Sequence, residues 1–460
     1  MNISDFAGKK VHIIGIGGSS MSGIALILKS FGCVVSGSDR SENHSIDNLR
    51  KAGINVIIGH NKDNVNTAEL VIYSLAIPED NPELTACREK GIRAVERSVF
   101  LGLLSKDYDT MVAVCGTHGK TTVTSMLSSI LVEAGMDPTV HIGGVYAPIG
   151  GNIRMGSRKL FVTEACEYRR SFMNLYPTAV IVNNIDEDHL DYYRDIEDIK
   201  DAFLDFVKKL PDDGWILGNG DDPLVADVLE RSGKRCVTFG VSGQCTYRMG
   251  TSSEDLRGYY SFDVIRNEGV IGHVEMTVPG IFNAQNALAA VAAADILGVD
   301  PVNACRIIGT FSGAGRRFEL TGTLNGAELF TDYGHNPTEM KNAIHIARKR
   351  CQNGRLWAVV QPHTYSRLKT LFEEYLTCTE EADITLVTDI FAARENDPGD
   401  IDSKMLVDGM IEHGIDAKLT RTFDEAADEI RRAVKPQDMV ITLGCGNINM
   451  LNDMLGRFAN

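Results

Sequence analysis

The sequence is short of proline, with 13 residues in 460, and none of its ten cysteines forms a C-x-x-C pair. Sparse proline argues against a proline-rich linker between its parts. The cysteine spacing argues against zinc ribbons and thioredoxin-type redox chemistry. Cys115 in V-A-V-C-G-T and Cys445 in I-T-L-G-C-G-N sit in apolar, strand-like runs, as small buried hydrophobes do in a reducing compartment. No uninterrupted apolar run reaches the roughly 20 residues that a membrane-spanning helix needs. The opening M-N-I-S-D-F-A-G-K-K-V-H-I-I-G lacks a signal-peptide pattern. Solenoid-length repeats and low-complexity tracts are absent as well. Positive charge is in deficit: 46 Lys and Arg against 62 Asp and Glu leave a net charge of −16. An acidic field of that size repels nucleic-acid backbones and anionic membranes. The expectation is a soluble cytoplasmic protein acting on small molecules, with neither nucleic acid nor membrane as a partner.

What is present is an ordinary globular composition, 43% hydrophobic and 23% charged, with 44 glycines that ask for many tight turns. The length suits about two to four domains. Short apolar runs alternate with helical patterns, which predicts an α/β protein built of parallel βαβ units. V-H-I-I-G-I-G, C-V-V-S-G-S-D, N-V-I-I-G and E-L-V-I-Y-S-L-A-I read as the first strands. S-K-D-Y-D-T then interrupts the pattern, and M-V-A-V-C-G starts it afresh. Residues from about Cys236 to Val278 read as short antiparallel strands. A further restart follows F-S-G-A-G-R-R-F-E-L. Three domains are therefore expected, at 1–107, 108–320 and 321–460.

Gly116-Thr117-His118-Gly119-Lys120-Thr121-Thr122 lies between a strand and a helix, the setting of a phosphate-binding loop. Glycines let backbone N–H groups approach phosphate oxygens, and the helix N-terminus adds partial positive charge. Lys120 supplies a mobile cation and Thr121 a hydroxyl for Mg²⁺. Gly15-Ile-Gly17-Gly18-Ser-Ser20 is a second glycine turn in the same setting, with Asp39 ending the next strand. Ser20 occupies the place of a third dinucleotide-fingerprint glycine, so the turn indicates a phosphate-bearing ligand, with NAD one candidate. Glu164, Asn184, Asp188 and His189 fall at strand C-termini, where open α/β sheets bind ligands. They read either as donors to a divalent cation or, for Asp186 and Asp188, as helix caps. Asn283 and Asn286 stand one helical turn apart, able to read an adenine edge or to cap. Arg316-Arg317, Asp332-Tyr333-Gly334-His335-Asn336-Pro337 and Gln361-Pro362-His363-Thr364-Tyr365-Ser366-Arg367 place cations and imidazoles at further strand ends.

Taken in order, G-T-H-G-K-T-T, N-x-x-x-D-H-x-D, G-R-R-F-E and D-Y-G-H-N-P resemble the Mur ligase family, the ATP-dependent amide-forming enzymes of peptidoglycan synthesis. The resemblance covers essentially the whole chain. It implies a Rossmann-like N-terminal domain for a UDP-sugar, a central P-loop ATPase-type domain, and a Rossmann-like C-terminal domain for an amino acid. G-G-N-I-R-M-G, Q-P-H-T-Y-S-R and D-I-F-A-A-R-E, together with the opening glycine turn, imply UDP-N-acetylmuramate and L-alanine as the substrates. ATP and Mg²⁺ (or Mn²⁺) are implied as cofactors.

The resemblance assigns Gly116, Thr117, Gly119, Lys120, Thr121, Thr122, Asn283, Asn286, Arg317 and Asp332 to ATP. It assigns Gly15, Gly17, Gly18, Asp39, His60, Ser74, His118, Asn152 and Arg154 to the UDP-sugar. Thr121, Glu164 and His189 would serve the metal, and Lys120, Glu164, His189, His335 and Arg367 the chemistry. Three segments depart from the family pattern: Glu164-Ala-Cys166-Glu167-Tyr168-Arg169-Arg170, where relatives have more acids; Asn336, where relatives have His; and Phe282, also in place of His. A peptide in place of alanine, and a nicotinamide-dependent dehydrogenase, are the alternatives.

Overall fold

The computed structural model describes residues 6–189, 192–393 and 395–456. Three sheets organise the chain, each the centre of an α/β domain. The first has five parallel strands in the spatial order Asn55–Ile58, Val34–Asp39, Lys10–Ile14, Leu70–Tyr73, Arg93–Glu96. Chain order reverses on either side of Lys10–Ile14, so the crevice over that strand is where such a sheet binds ligands. The glycine turn Gly15–Gly18 lies at its C-terminal end.

The middle sheet has ten strands. Thr110–Cys115 lies between Ala179–Val182 and Leu160–Glu164, parallel to both. The order reverses here too, which puts the loop after Cys115, the carboxyl of Glu164 and the Asn183-Asn184 pair at three adjacent strand ends. All of Thr110–Cys115 except its first residue is buried, because helices cover both faces; hence a continuous apolar run rather than an alternating one. The helix Ile281–Ile296 is alanine-rich and packs against the helix Lys120–Glu133 that follows the loop. The segment expected to be antiparallel is so only from Tyr247–Glu254 onward. Arg235–Gly240 pairs parallel with Trp215–Asn219.

The third sheet has the order Glu319–Leu324, Ala327–Asp332, Met439–Leu443, Leu356–Val360, Ile384–Val387, Ala417–Leu419, parallel except for its first strand. The D-Y-G-H-N-P and Q-P-H-T-Y-S-R segments follow two strands that flank Met439–Leu443, so both open on one edge.

Domains meet closely. A Cβ placed on Gly102 would lie 2.0 Å from the Asn174 carbonyl oxygen, so only glycine lets the first domain approach the second there. The Ser20 hydroxyl sits 2.8 Å from His141 Nε2, which is why a serine stands where a dinucleotide fold would place glycine. Burial holds His141 neutral, with a pKa near 3. Lys349 reaches Glu254 at 2.7 Å to tie the third domain to the second.

Candidate active site

The phosphate loop takes its shape from two glycines. Gly116 has φ 137° and Gly119 φ 80°. A Cβ on Gly119 would fall 2.4 Å from Asn183 Nδ2 and 2.6 Å from Asn286 Oδ1. Those two amides bond each other at 2.9 Å, and Asn183 and Asn184 both donate to the His118 carbonyl. The loop is thus cradled by side chains from two other elements. Lys120 folds back on it, donating to the carbonyls of Gly116 at 2.6 Å and Thr117 at 3.0 Å and to Glu167 Oε1 at 2.9 Å. Burial works against the ammonium, but Glu167, Cys166 and Glu164 together outweigh it and Lys120 stays charged.

Glu167 was missed by sequence reasoning. It is almost fully buried, and its Oε2 has no hydrogen-bond partner. The oxygen that meets Lys120 also faces His189 Nε2, at 3.9 Å. Glu164 lies near Lys120 as well, accepting from the Gly143 N–H at 2.7 Å, with the Thr121 hydroxyl in reach. The structure therefore groups Thr121 with Glu164, and His189 with Glu167.

A cavity of about 300 Å³ opens beside the loop between the second and third domains. Gly119, Thr122, Asn283, Asn286, Arg317 and Asp332 all line it, six of the residues expected to share one ligand. Asn283 and Asn286 do not cap their helix, whose N-cap is Gly280; Asn283 donates to the Pro279 carbonyl instead. Phe282 is half exposed on the same wall. Asp332 accepts from the N–H groups of Phe318 and Gly334, and Arg317 lies over the Tyr333 ring.

His118, expected near the UDP-sugar, lines this cavity. Its Nδ1 is 3.0 Å from Glu339 Oε1 of the third domain and its Nε2 3.2 Å from Asp186 Oδ2. Burial opposes its charge, but the two carboxylates raise its pKa to about 9. Glu339 also receives the His335 N–H at 3.1 Å and faces His335 Nδ1 at 3.2 Å. Asp186 and Glu339 were invisible as site residues, since each gains its role only from a partner in a distant segment.

A second cavity, of about 710 Å³, lies where all three domains meet. It is lined by Leu75 of the first domain, by Tyr168, Arg169, Asp188 and His189 of the second, and by His363 and Arg367 of the third, among others. Arg367 donates to Asp188 at 2.9 Å and to His363 Nδ1 at 2.8 Å. Asp188 therefore serves an interdomain ion pair. The helix that follows is capped by Asp195, which overturns the capping reading of Asp186 and Asp188. Leu190 and Asp191 of that motif, and Arg394 of D-I-F-A-A-R-E, lie outside the described residues. His335 stands behind this cavity, its ring 5.9 Å from that of His363. Asn336, one of the three departures, caps the helix Pro337–Arg350 by accepting from the Glu339 N–H at 2.9 Å.

In the first domain, Asp39 accepts from the Gly17 N–H at 2.9 Å, which pins the glycine turn. His60 lies 3.2 Å from the Ser38 hydroxyl and 3.5 Å from the buried Glu83. The Ser74 hydroxyl accepts from the Ala76 N–H at 3.3 Å. Gly15, Gly17, Gly18, Asp39, His60 and Ser74 thus share the C-terminal edge of one sheet. Arg154 is held away from them by Asp137 and the Pro138 carbonyl, and its neighbour Asn152 lies on the same strand, Gly151–Arg154.

Three α/β domains, a lysine-bearing phosphate loop at the middle sheet's switch point, and two cavities at domain junctions define the architecture of a multidomain phosphate-handling enzyme. Comparison with known families makes this specific. Residues 10–109 match the Mur ligase family catalytic domain, 114–294 the Mur ligase middle domain, and 316–446 the Mur ligase glutamate ligase domain. The chain belongs to the Mur ligase family. It is 41% identical over 447 residues to a UDP-N-acetylmuramate–L-alanine ligase of Clostridium perfringens, covering 97% of both chains. It is also 41% identical to the protein of that name in Acetivibrio thermocellus, covering 97% of this chain and 95% of the relative. Among solved structures it resembles the UDP-N-acetylmuramate–alanine ligase of Thermotoga maritima, at 28% identity and a TM-score of 0.83, over 97% of this chain and 98% of that one. A murein peptide ligase of Psychrobacter arcticus is similar over the same shares, at 25% identity and a TM-score of 0.76.

Proposed function

We propose that this chain is an ATP-dependent ligase that joins L-alanine to the lactoyl carboxylate of UDP-N-acetylmuramate, acting in the cytoplasm. The observation that carries the reading is the full-length 41% identity to ligases of that name. Their likeness supports alanine over a peptide as the amine, and family membership sets the dehydrogenase alternative aside.

On this reading residues 1–107 hold the UDP-sugar by the Gly15–Gly18 turn, 108–320 hold ATP, and 321–460 bring the amino acid. Adenosine occupies the smaller cavity, with Asn283 and Asn286 at the base and Phe282 offering a ring to stack on. The triphosphate runs onto Gly116–Thr122. The lactoyl carboxylate attacks the γ-phosphate in line to give an acyl phosphate and ADP; the alanine amine then displaces phosphate through a tetrahedral intermediate. Lys120 neutralises charge gathering on the transferred group, and so must leave Glu167 for the phosphates. Arg367 and His335 orient the amine at the three-domain cavity, where closure excludes the water that would hydrolyse the acyl phosphate.

The residues fit Mg²⁺ or Mn²⁺. Thr121, Glu164 and Glu167 form an oxygen-rich set with His189 beside it, and Glu167 Oε2 is buried without a donor. Among the described residues no three acidic, histidine or cysteine side chains converge as a ready cage. That suits a cation that keeps waters and takes ligands from phosphate. When bound, the metal supplies positive charge beside the transferred phosphoryl group.

The test is ADP release with UDP-N-acetylmuramate and, in turn, L-alanine, glycine, L-serine and a tripeptide. L-Alanine should give the highest kcat/KM. A higher value for the tripeptide overturns the acceptor, and no ADP with any amine overturns the reaction.

A further inference from the structure

Four basic side chains line the three-domain cavity, and three are committed. Arg367 is paired with Asp188 at 2.9 Å. The His189 ring packs on that of Tyr168 at 4.6 Å, and His363 Nδ1 accepts from Arg367 at 2.8 Å. Arg169 is the fourth. Its guanidinium stands 5.5 Å from the centre of the Tyr168 ring, it is exposed to the cavity, and among the described residues no carboxylate pairs with it.

The backbone is bent to put it there. Arg169 has φ 50° and ψ 31° and Arg170 φ 53° and ψ 30°, two consecutive left-handed residues, neither of them glycine. Such strain persists only where the surroundings hold it, and it concentrates at functional sites. Here the anchors are plain. Arg170 bonds Asp205 at 3.0 Å and Asp198 at 3.4 Å on the helix Ile196–Val207. Phe172 donates its N–H to the Cys166 carbonyl, and the Tyr193 hydroxyl donates to the Glu167 carbonyl at 2.6 Å. None of these bonds uses the Arg169 side chain. Arg170 explains its own place in the turn; Arg169 is left with a planar cationic fork aimed into a ligand-sized space.

We propose that Arg169 is a substrate-binding residue that holds an anionic oxygen group of the ligand filling the three-domain cavity. A guanidinium receives carboxylate or phosphate through paired N–H donors, a geometry that lysine cannot reproduce. The inference rests on the proposed function, whose substrates carry two sources of that chemistry: the nucleotide-sugar, with its diphosphate and lactoyl carboxylate, and the α-carboxylate of the amino acid.

The experiment compares the full-length parent with Arg169→Gln and Arg169→Lys by steady-state ADP release, with each substrate varied in turn. Arg169→Gln should raise KM for one of the two anionic substrates about tenfold, the low end for a charge-assisted hydrogen bond. The KM for ATP and the thermal midpoint should not change, and Arg169→Lys should recover only part of the loss. The substrate whose KM moves identifies the oxyanion. Both KM values within twofold of the parent overturn the proposal, as does a fall in kcat alone, which would mark the turn as merely structural. A parent that releases no ADP sinks the functional reading instead. Calorimetry with inorganic pyrophosphate then decides Arg169, with weaker binding by Arg169→Gln expected and equal binding overturning it.

Discussion

At the scale of single residues, Lys120 and Glu167 cannot be considered apart. Glu167 is buried in their ion pair and Lys120 largely so, with side chains 3% and 17% exposed. Removing the lysine of such a pair leaves an uncompensated buried carboxylate, which costs about 3–5 kcal/mol. Lys120→Ala should therefore lower ADP release by ~10²–10³ and also lower the denaturant midpoint. Adding Glu167→Gln should restore the midpoint without restoring turnover. A double-mutant cycle checks both statements, and near-normal turnover in folded Lys120→Ala would remove the lysine from the chemistry. The lysine was legible in the sequence because its neighbours spell a phosphate loop. Glu167 was not: nothing in E-A-C-E-Y distinguishes the carboxylate that ends a strand from the one buried three residues later. Arg154 was misleading in the opposite way, since its partner Asp137 lies 17 residues away and across a turn.

At the scale of elements, long apolar runs were readable as strands. The helix Pro337–Arg350 carries its proline in the first turn, where the missing N–H costs nothing, and the departure at Asn336 is explained by its cap. Asn336→Ala should cost about 1 kcal/mol, a typical value for an N-cap. Because Glu339 also reaches back to the His335 N–H, the same change should loosen His335 and raise KM for the amine. Urea midpoints and steady-state kinetics check the two effects; an unchanged midpoint would show that the Asn336 side chain does not cap. The strands that sequence reasoning passed over share a physical cause. Arg93–Glu96 and Gly151–Arg154 have four residues each, are mostly uncovered, and bury one side chain apiece, so neither periodicity nor hydrophobicity marks them. Arg235–Gly240 is similarly exposed at its start, and its parallel pairing is set by the helix Pro223–Ser232 that returns the chain, not by its own residues.

At the scale of the whole molecule, the contacts that bring domains together were the least legible, because each joins residues far apart in the chain. Arg367 meets Asp188 across 179 positions and His118 meets Glu339 across 221. These two links fasten the third domain to the second beside the two cavities, and they respond to pH differently. Asp188 is held below the usual carboxylate range: burial opposes this, but Arg367 and the neighbouring histidines outweigh it. That bridge stays charged throughout the neutral and alkaline range. His118 has a folded pKa of about 9, above its ordinary 6.5. A raised histidine gives its full stabilisation below the unfolded pKa and loses it as pH climbs through the folded one. The link to Glu339 and Asp186 should therefore be intact at pH 7 and fade between pH 8 and 10. His118→Gln removes the titration while keeping a polar side chain. The difference in thermal midpoint between parent and His118→Gln should be largest near pH 7 and shrink steadily toward pH 10. The parent's ADP release should decline over the same interval, beyond any decline in the variant. A midpoint difference that stays constant from pH 7 to 10 would show that His118 carries no charge in this contact.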